Sequence, residues 1–199
     1  MSDEDQSTLE QLLGPVLLSK VGEGKKPNLR NFKESFSHHG PSKNTNDALK
    51  HKDFVLLYFS AAWCPPCQAF SPLLKEFYSN CNAKEHHEKI GAKIEVVYVS
   101  SDRDLDEFQE YYGKMPWLAL ESQRHKNLIS KKCHVSGIPS LVVMTGEGKF
   151  VTDTARNDVA AAAKNVKKIA KLIETWKAIE AVPFEEATFT NSGGACAIL

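Results

Sequence analysis

Phe54 to Ser60 (FVLLYFS) is a run apolar at every place up to its closing serine and rich in aromatic and branched side chains, and it leads almost directly into Cys64-Pro65-Pro66-Cys67. Such a run is the pattern of a central strand covered on both faces by helices. After Pro65-Pro66, the apolar positions Phe70, Leu73, Leu74 and Phe77 recur at steps of three and four. That spacing predicts a helix with one buried face, running to about Asn80. A buried strand feeding such a helix commits the chain to layered α/β architecture.

The remaining pattern extends this arrangement. Lys93 to Ser100 (KIEVVYVS) reads as a second strand, and Leu105, Phe108 and Tyr112 mark a helix closed by Gly113, beyond which Pro116 forbids continuation. Leu141–Met144 and Lys149–Thr152 flank Gly146-Glu147-Gly148 as two short antiparallel strands. Val159, Ala163, Val166, Ala170, Ile173 and Trp176 trace one face of a single long helix, with Asn157 or Asp158 as its N-cap. Between Leu12 and Asn46, short apolar pieces (Leu12, Leu13, Val16, Leu17, Leu18) alternate with Gly22, Gly24, Pro27, Gly40 and Pro41, which predicts a short strand or hairpin and then loop. Residues 1–11 are expected to be a flexible N-terminus. From Ala181 onward there is no Lys or Arg, two adjacent acids (Glu185, Glu186) and Asn191-Ser192-Gly193-Gly194, so 181–199 is expected to be a flexible tail. One domain over 12–180 follows, with the order βαβαββα after an N-terminal piece: an α/β fold with a mixed central sheet and helices on both faces.

Several function classes fall away on composition. With 199 residues, 42% of them apolar and 25% charged, the chain is an ordinary globular one of a single domain or slightly more. Lys plus Arg (25) balances Asp plus Glu (25) and no long basic run appears, so no nucleic-acid partner is expected. No apolar stretch approaches the roughly 20 residues of a membrane helix. The acidic start, Met1-Ser2-Asp3-Glu4-Asp5, does not resemble a secretory signal or transit peptide, so a cytosolic location is expected. Five cysteines are odd in number and too sparse for a disulfide scaffold.

Cysteine spacing then narrows the chemistry. A Cys-x-x-Cys where a buried strand turns into a helix, in a cytosolic βαβ context, is the sequence mark of thiol redox chemistry. With Cys64 as N-cap, Pro65 takes the first helical position and Cys67 the third, one turn away and within bonding reach. Both prolines lack an N–H, so the Cys67 N–H is the nearest donor to the Cys64 sulfur. Together with the helix dipole, this predicts a Cys64 pKa below the free value of about 8.5. Cys64 is the expected attacking thiol and Cys67 the resolving one. Trp63 offers a flat apolar surface beside the sulfur or, alternatively, simple packing. Zinc would need two more ligands, which scattered Cys81, Cys133 and His134 do not supply, and a structural disulfide is disfavoured in a reducing compartment. Hence no metal and no cofactor is expected. His38-His39 and His86-His87 read as solvated loop residues, and Cys81 and Cys133 as small apolar fillers.

At these residues the chain resembles a known family. Tyr58-Phe59-Ser60-Ala61-Ala62-Trp63-Cys64-Pro65-Pro66-Cys67, Lys114-Met115-Pro116-Trp117-Leu118-Ala119 and Gly137-Ile138-Pro139-Ser140-Leu141 are similar to the tryparedoxin and nucleoredoxin branch of the thioredoxin superfamily. The resemblance covers roughly Leu12 to Trp176 and implies a thioredoxin-like fold. It further implies that Pro139 is a cis-proline facing the cysteines and that Ile138, Asp102 and Arg156 lie at the substrate face; a solvated charge is the alternative at the last two. Tyr58 stands where thioredoxins proper keep a buried Asp, and tyrosine, with a pKa near 10, is a poor base at neutral pH. Ser101 replaces a tryptophan common in tryparedoxins, which tilts the resemblance toward a nucleoredoxin-like protein.

The last four residues, Cys196-Ala197-Ile198-Leu199, fit a prenylation signal whose terminal Leu favours geranylgeranyl. A prenyl transferase and, through the lipid, a membrane surface are therefore expected partners. One lipid without a polybasic patch implies partial, reversible membrane residence. The leading expectation is a thiol–disulfide oxidoreductase that reduces protein or peptide disulfides and is itself reduced by an external thiol or reductase. A redox-sensitive binding module is the rival from another class, and a thiol peroxidase, which would need no adjacent Cys-x-x-Cys, is the weaker third.

Overall fold

The computed structural model describes residues 7–19, 42–121, 123–190 and 195–197. The elements in chain order are α1 (Thr8–Leu13), β1 (Val16–Leu18), β2 (Ser42–Asn44), α2 (Thr45–Leu49), β3 (Phe54–Ser60), α3 (Pro65–Asn82), α4 (His87–Ile90), β4 (Ile94–Ser100), α5 (Leu105–Tyr112), β5 (Leu118–Leu120), α6 (Gln123–Lys132), β6 (Gly137–Ile138), β7 (Ser140–Thr145), β8 (Phe150–Thr152), α7 (Ala155–Ala162), α8 (Val166–Ala178) and β9 (Cys196–Ala197). Seven strands form a mixed sheet in the order β2-β1-β5-β4-β3-β7-β8. The pairs β3–β4 and β4–β5 are parallel, and β3–β7, β7–β8, β1–β5 and β1–β2 are antiparallel. This is the thioredoxin-like fold that the resemblance implied.

The unbroken apolar run in β3 has a direct cause in this topology. Paired along its length with β4 and β7, β3 sends alternate side chains into two separate cores. Phe54, Leu56 and Tyr58 join Ile94, Val96 and Tyr98 of β4 under α3, α7 and α8, where Phe70, Leu74, Phe77, Val159, Ile169, Ile173 and Trp176 are buried. Val55, Leu57 and Phe59 face the opposite layer with Leu9, Leu12 and Leu13 of α1, Leu49 of α2 and Ile129 of α6. Neither face of β3 meets water, so neither carries a polar residue before Ser60.

Several sequence expectations are corrected here. The residues read as one long helix form two, because Asn165 breaks the run and caps α8, its side chain accepting from the Lys167 and Lys168 N–H groups. Thr154, not Asn157 or Asp158, occupies the N-cap position of α7. Within the N-terminal stretch expected to be flexible, Thr8–Leu13 is a helix with a Ser7 cap, held by burial of Leu9, Leu12 and Leu13. The predicted N-terminal strand is β1, and its hairpin partner is β2. Gly22, Gly24, Pro27, Gly40 and Pro41 lie outside the described residues. Residues 182–190, expected within a flexible tail, pack on the body. Val182 bridges Phe150 and Phe184 is buried, while the Phe189 ring lies 4.8 Å from Phe150 and 5.6 Å from Phe184. These three apolar anchors have no regular period, so the acidic composition around them hid the packing.

Two glycines of the β7–β8 turn are required for different reasons. A Cβ at Gly146 would fall 1.8 Å from the Lys52 carbonyl oxygen, whereas Gly148 has a φ of +88° that side-chain-bearing residues avoid. Among the described residues, no helix is long and apolar enough to cross a membrane.

Candidate active site

The site forms where β3 ends and α3 begins. Cys64 is the N-cap of α3 in extended backbone, and Pro65 and Pro66 fill the first two helical positions. No side chain caps this helix end, which leaves the Cys64 sulfur as the group nearest the first free N–H of the turn. The Cys67 sulfur lies one turn on, 2.7 Å from that of Cys64, and both thiols are free and buried. Opposite them, the Ile138–Pro139 peptide bond is cis. The Ile138 carbonyl oxygen stands 3.7 Å from the Cys64 sulfur, and both residues of this peptide are buried.

Two charged groups hold the walls of the cleft. The Asp102 carboxylate accepts the Ala62 N–H at 2.6 Å, the Tyr98 hydroxyl at 2.5 Å and the Ser100 hydroxyl at 2.7 Å. It thereby fixes the backbone two residues before Cys64 and is not simply a solvated charge. Trp63 is half-buried; its indole N–H donates to the Ser101 carbonyl at 2.8 Å and the Arg103 guanidinium sits 5.2 Å from its ring centroid. The Arg156 guanidinium donates to the Pro139 carbonyl at 3.2 Å, bracing the cis-proline loop from the other side. Cys64, Cys67, Trp63, Pro65, Pro66, Ile138 and Pro139 thus meet in one cleft, with Asp102 and Arg156 as its supports.

Behind Cys67 lies a group of hydroxyls that the sequence did not signal as a unit. The Tyr58 hydroxyl donates to the Cys67 carbonyl at 3.2 Å and lies 2.9 Å from the hydroxyls of Ser60 and Ser71, and Tyr111 closes the group 2.6 Å from Ser71. Burial pushes the Tyr58 hydroxyl well above its ordinary pKa, so it stays protonated and acts as a donor rather than a base. Ser60 ends β3 and Ser71 lies in α3, on either side of the cysteine motif, and Tyr111 joins them only through the fold, so no periodic spacing signals the group. Burial also pushes the Cys67 thiol up, while the Cys64 thiol and the Ser60 hydroxyl act in the opposite direction.

Cys64 itself departs from the sequence expectation. Its thiol is pushed up rather than down, chiefly by burial, against which a hydrogen bond with Cys196 and the Cys67 N–H act downward. The expected donor is present, but covering the sulfur outweighs it. The cover includes Cys196, whose sulfur lies 2.9 Å from that of Cys64. Cys81 is buried in the opposite core, where burial alone pushes its thiol up to about 12, and Cys133 is buried just after α6 in the core that also holds Cys64 and Cys67. Among the described residues, no group of three or more His, Cys, Asp or Glu side chains is arranged to hold a metal ion.

Comparisons with known proteins bear on the family and the fold. The thioredoxin-like family model matches residues 52–150. Over 108 residues the chain is 41% identical to a tryparedoxin of Trypanosoma brucei brucei, covering 53% of this chain and 70% of that protein. It is 45% identical over 108 residues to a probable nucleoredoxin 1 of Arabidopsis thaliana, covering 54% of this chain but only 18% of that much longer protein. A solved tryparedoxin II complexed with glutathionylspermidine superimposes with a TM-score of 0.60 at 30% identity, covering 78% of this chain and 92% of that one.

Replacing Asp102 with Ala would leave the Ala62 N–H and the Tyr98 and Ser100 hydroxyls without their acceptor. Urea unfolding should show a loss of about 1–3 kcal/mol. A change within about 0.5 kcal/mol, the range of ordinary surface substitutions, would remove Asp102 from this supporting role.

Proposed function

The chain belongs to the thioredoxin-like family, in its tryparedoxin and nucleoredoxin branch, and from that membership we propose that it is a thiol–disulfide oxidoreductase that reduces protein or peptide disulfides with Cys64 and Cys67. The observation that carries this reading is the pair of free sulfurs 2.7 Å apart at the start of α3, facing the cis Ile138–Pro139 peptide.

The steps follow from the geometry. Once deprotonated, Cys64 attacks one sulfur of the substrate disulfide, a Cys64–substrate bond forms, and the other substrate sulfur leaves as a thiolate. Cys67, one turn behind, then attacks the Cys64 sulfur, so that the Cys64–Cys67 disulfide forms as the second substrate thiolate departs. The proton lost by Cys67 is matched by the one the departing thiolate takes up. Two electrons have passed to the substrate, and an external thiol or reductase must return them. The complex of a related tryparedoxin with glutathionylspermidine supports a small thiol as one class of donor. The strand edge at Gly137–Ile138 and the half-buried Trp63 supply a backbone and an apolar surface for the substrate chain.

The tail adds a location to this reading. Cys196 in Cys196-Ala197-Ile198-Leu199 is the proposed site of geranylgeranylation, which would hold the enzyme on the cytosolic face of a membrane. A single prenyl chain gives weak, reversible binding, so two pools are expected.

Dithiol-driven reduction of a disulfide-bonded test protein should fall to the background rate in Cys64→Ser, whereas Cys67→Ser should accumulate a stable mixed disulfide with its substrate. Equal turnover by wild type and Cys64→Ser would contradict the enzyme reading and favour a redox-sensitive binding module. In eukaryotic cells, Cys196→Ser should shift protein from the membrane fraction to the soluble one, and an unchanged distribution would eliminate the lipid anchor.

A further inference from the structure

The C-terminal segment lies in the cleft in the manner of a bound chain. β9 (Cys196–Ala197) pairs antiparallel with β6, with Cys196 opposite Ile138 and Ala197 opposite Gly137. Ile138 is the residue that precedes the cis-proline, so the tail takes the free edge beside the cysteines, the mode in which an extended peptide adds to a strand. Its register places the Cys196 sulfur 2.9 Å from that of Cys64, and Cys196 packs against the same apolar cluster as Cys64 and Ile138.

The approach is anchored upstream. Thr190 donates its N–H to the Asp153 carboxylate at 2.6 Å and its hydroxyl to the same group at 2.9 Å, and Phe189 stacks on His134 with ring centroids 5.9 Å apart. Cys196 follows Thr190 by only six residues, a reach of at most about 20 Å. A short tether of this kind holds a thiol at an effective concentration in the millimolar range.

We propose that Cys196 is a third redox-active cysteine: the C-terminal segment is an internal substrate, and its thiol exchanges with the Cys64–Cys67 disulfide. The proposal rests on the reading of Cys64 and Cys67 as a redox pair. In the exchange, the Cys196 thiolate attacks the Cys64 sulfur, a Cys64–Cys196 disulfide forms, the Cys64–Cys67 bond breaks, and Cys67 leaves as a thiolate that takes up the proton Cys196 released. The number of thiols and disulfides is unchanged, so the oxidised enzyme supplies everything the step needs. Cys64 is fully buried in the docked arrangement, which accords with a resting form whose cleft is filled. The same sulfur is the one a prenyl group would occupy. A thioether cannot exchange, so lipidation at Cys196 and the Cys64–Cys196 bond exclude each other, and only an unlipidated chain can close its own cleft this way.

The test uses the full-length, unprenylated chain with hydroxyethyl disulfide as the probe. In Cys67→Ser, Cys64 first takes up the probe; Cys196 should then displace it, so that the adduct is lost and a Cys64–Cys196 cross-linked peptide appears in a monomer at every protein concentration. In Cys67→Ser/Cys196→Ser the adduct should persist at least ten times longer. A second measurement avoids substitution at Cys67: in wild type oxidised by one equivalent of probe, iodoacetamide should label Cys67 as well as Cys196, and in oxidised Cys196→Ser it should not label Cys67. Equally persistent adducts in the two variants, with Cys67 unlabelled in oxidised wild type, would overturn the proposal while leaving the redox pair intact. Failure of Cys64 to take up the probe in either variant would overturn the redox-pair reading, and this proposal with it.

Discussion

The position of one sulfur, Cys64, relative to one peptide bond, Ile138–Pro139, organises the molecule. These groups come from segments more than seventy residues apart, and neither is placed by local structure alone. β3 and β7 lie side by side in the sheet, so the turn after β3 and the turn before β7 open at the same edge. Asp102 then ties the backbone before Cys64 to the end of β4, and Arg156 ties the Pro139 carbonyl to the start of α7. Each of these charge-assisted bonds fixes a backbone atom rather than another side chain. The cleft between them is therefore bounded by main chain whose position depends on four elements at once.

Much of this was legible in the residues because burial on two sides leaves a strong trace. β3 could be read from FVLLYFS, since a strand with a wet face would not be apolar at six consecutive places, and α5 ends at Gly113 as its spacing implied. The Cys-Pro-Pro-Cys start of α3 was equally readable, because N-cap and first-turn positions have local chemistry. What escaped was non-local. Asn165 reads as one more polar residue on a helix surface until α7 and α8 are seen to meet there. The short β5 and the amphipathic α6, with Ile129 as its buried anchor, offered too few apolar positions for a period to emerge. The Tyr58, Ser60, Ser71 and Tyr111 hydroxyls converge from three elements, so no spacing in the chain joins them.

The largest departure concerns Cys64 itself. Helix-start geometry argues for an anionic sulfur, and the Cys67 N–H does act in that direction; yet the thiol is buried, and desolvation prevails. Both effects are local consequences of the same place in the fold, where the C-terminal strand also sits on β6 and brings in Cys196, whose hydrogen bond acts downward without offsetting burial. A sequence can announce the helix start, but it gives no sign that residue 196 returns to residue 64. By composition the tail reads as a lipid handle on a flexible stalk, whereas Phe184, Phe189 and Thr190 bind it to the body. On the two proposals together, lipid attachment and cleft occupancy would be alternative fates of a single atom.

Of the five thiols, Cys64 has the sulfurs of Cys67 and Cys196 at 2.7 and 2.9 Å, whereas Cys81 is buried in the opposite core and Cys133 elsewhere in the shared one. The most direct measurement is a disulfide map of the whole chain equilibrated across a range of redox buffers, read by mass spectrometry of non-reduced peptides. The account predicts that two thiols are lost in a single two-electron transition, that every bond formed includes Cys64, and that Cys81 and Cys133 stay free throughout. A first disulfide that omits Cys64, or one that contains Cys81 or Cys133, would contradict it.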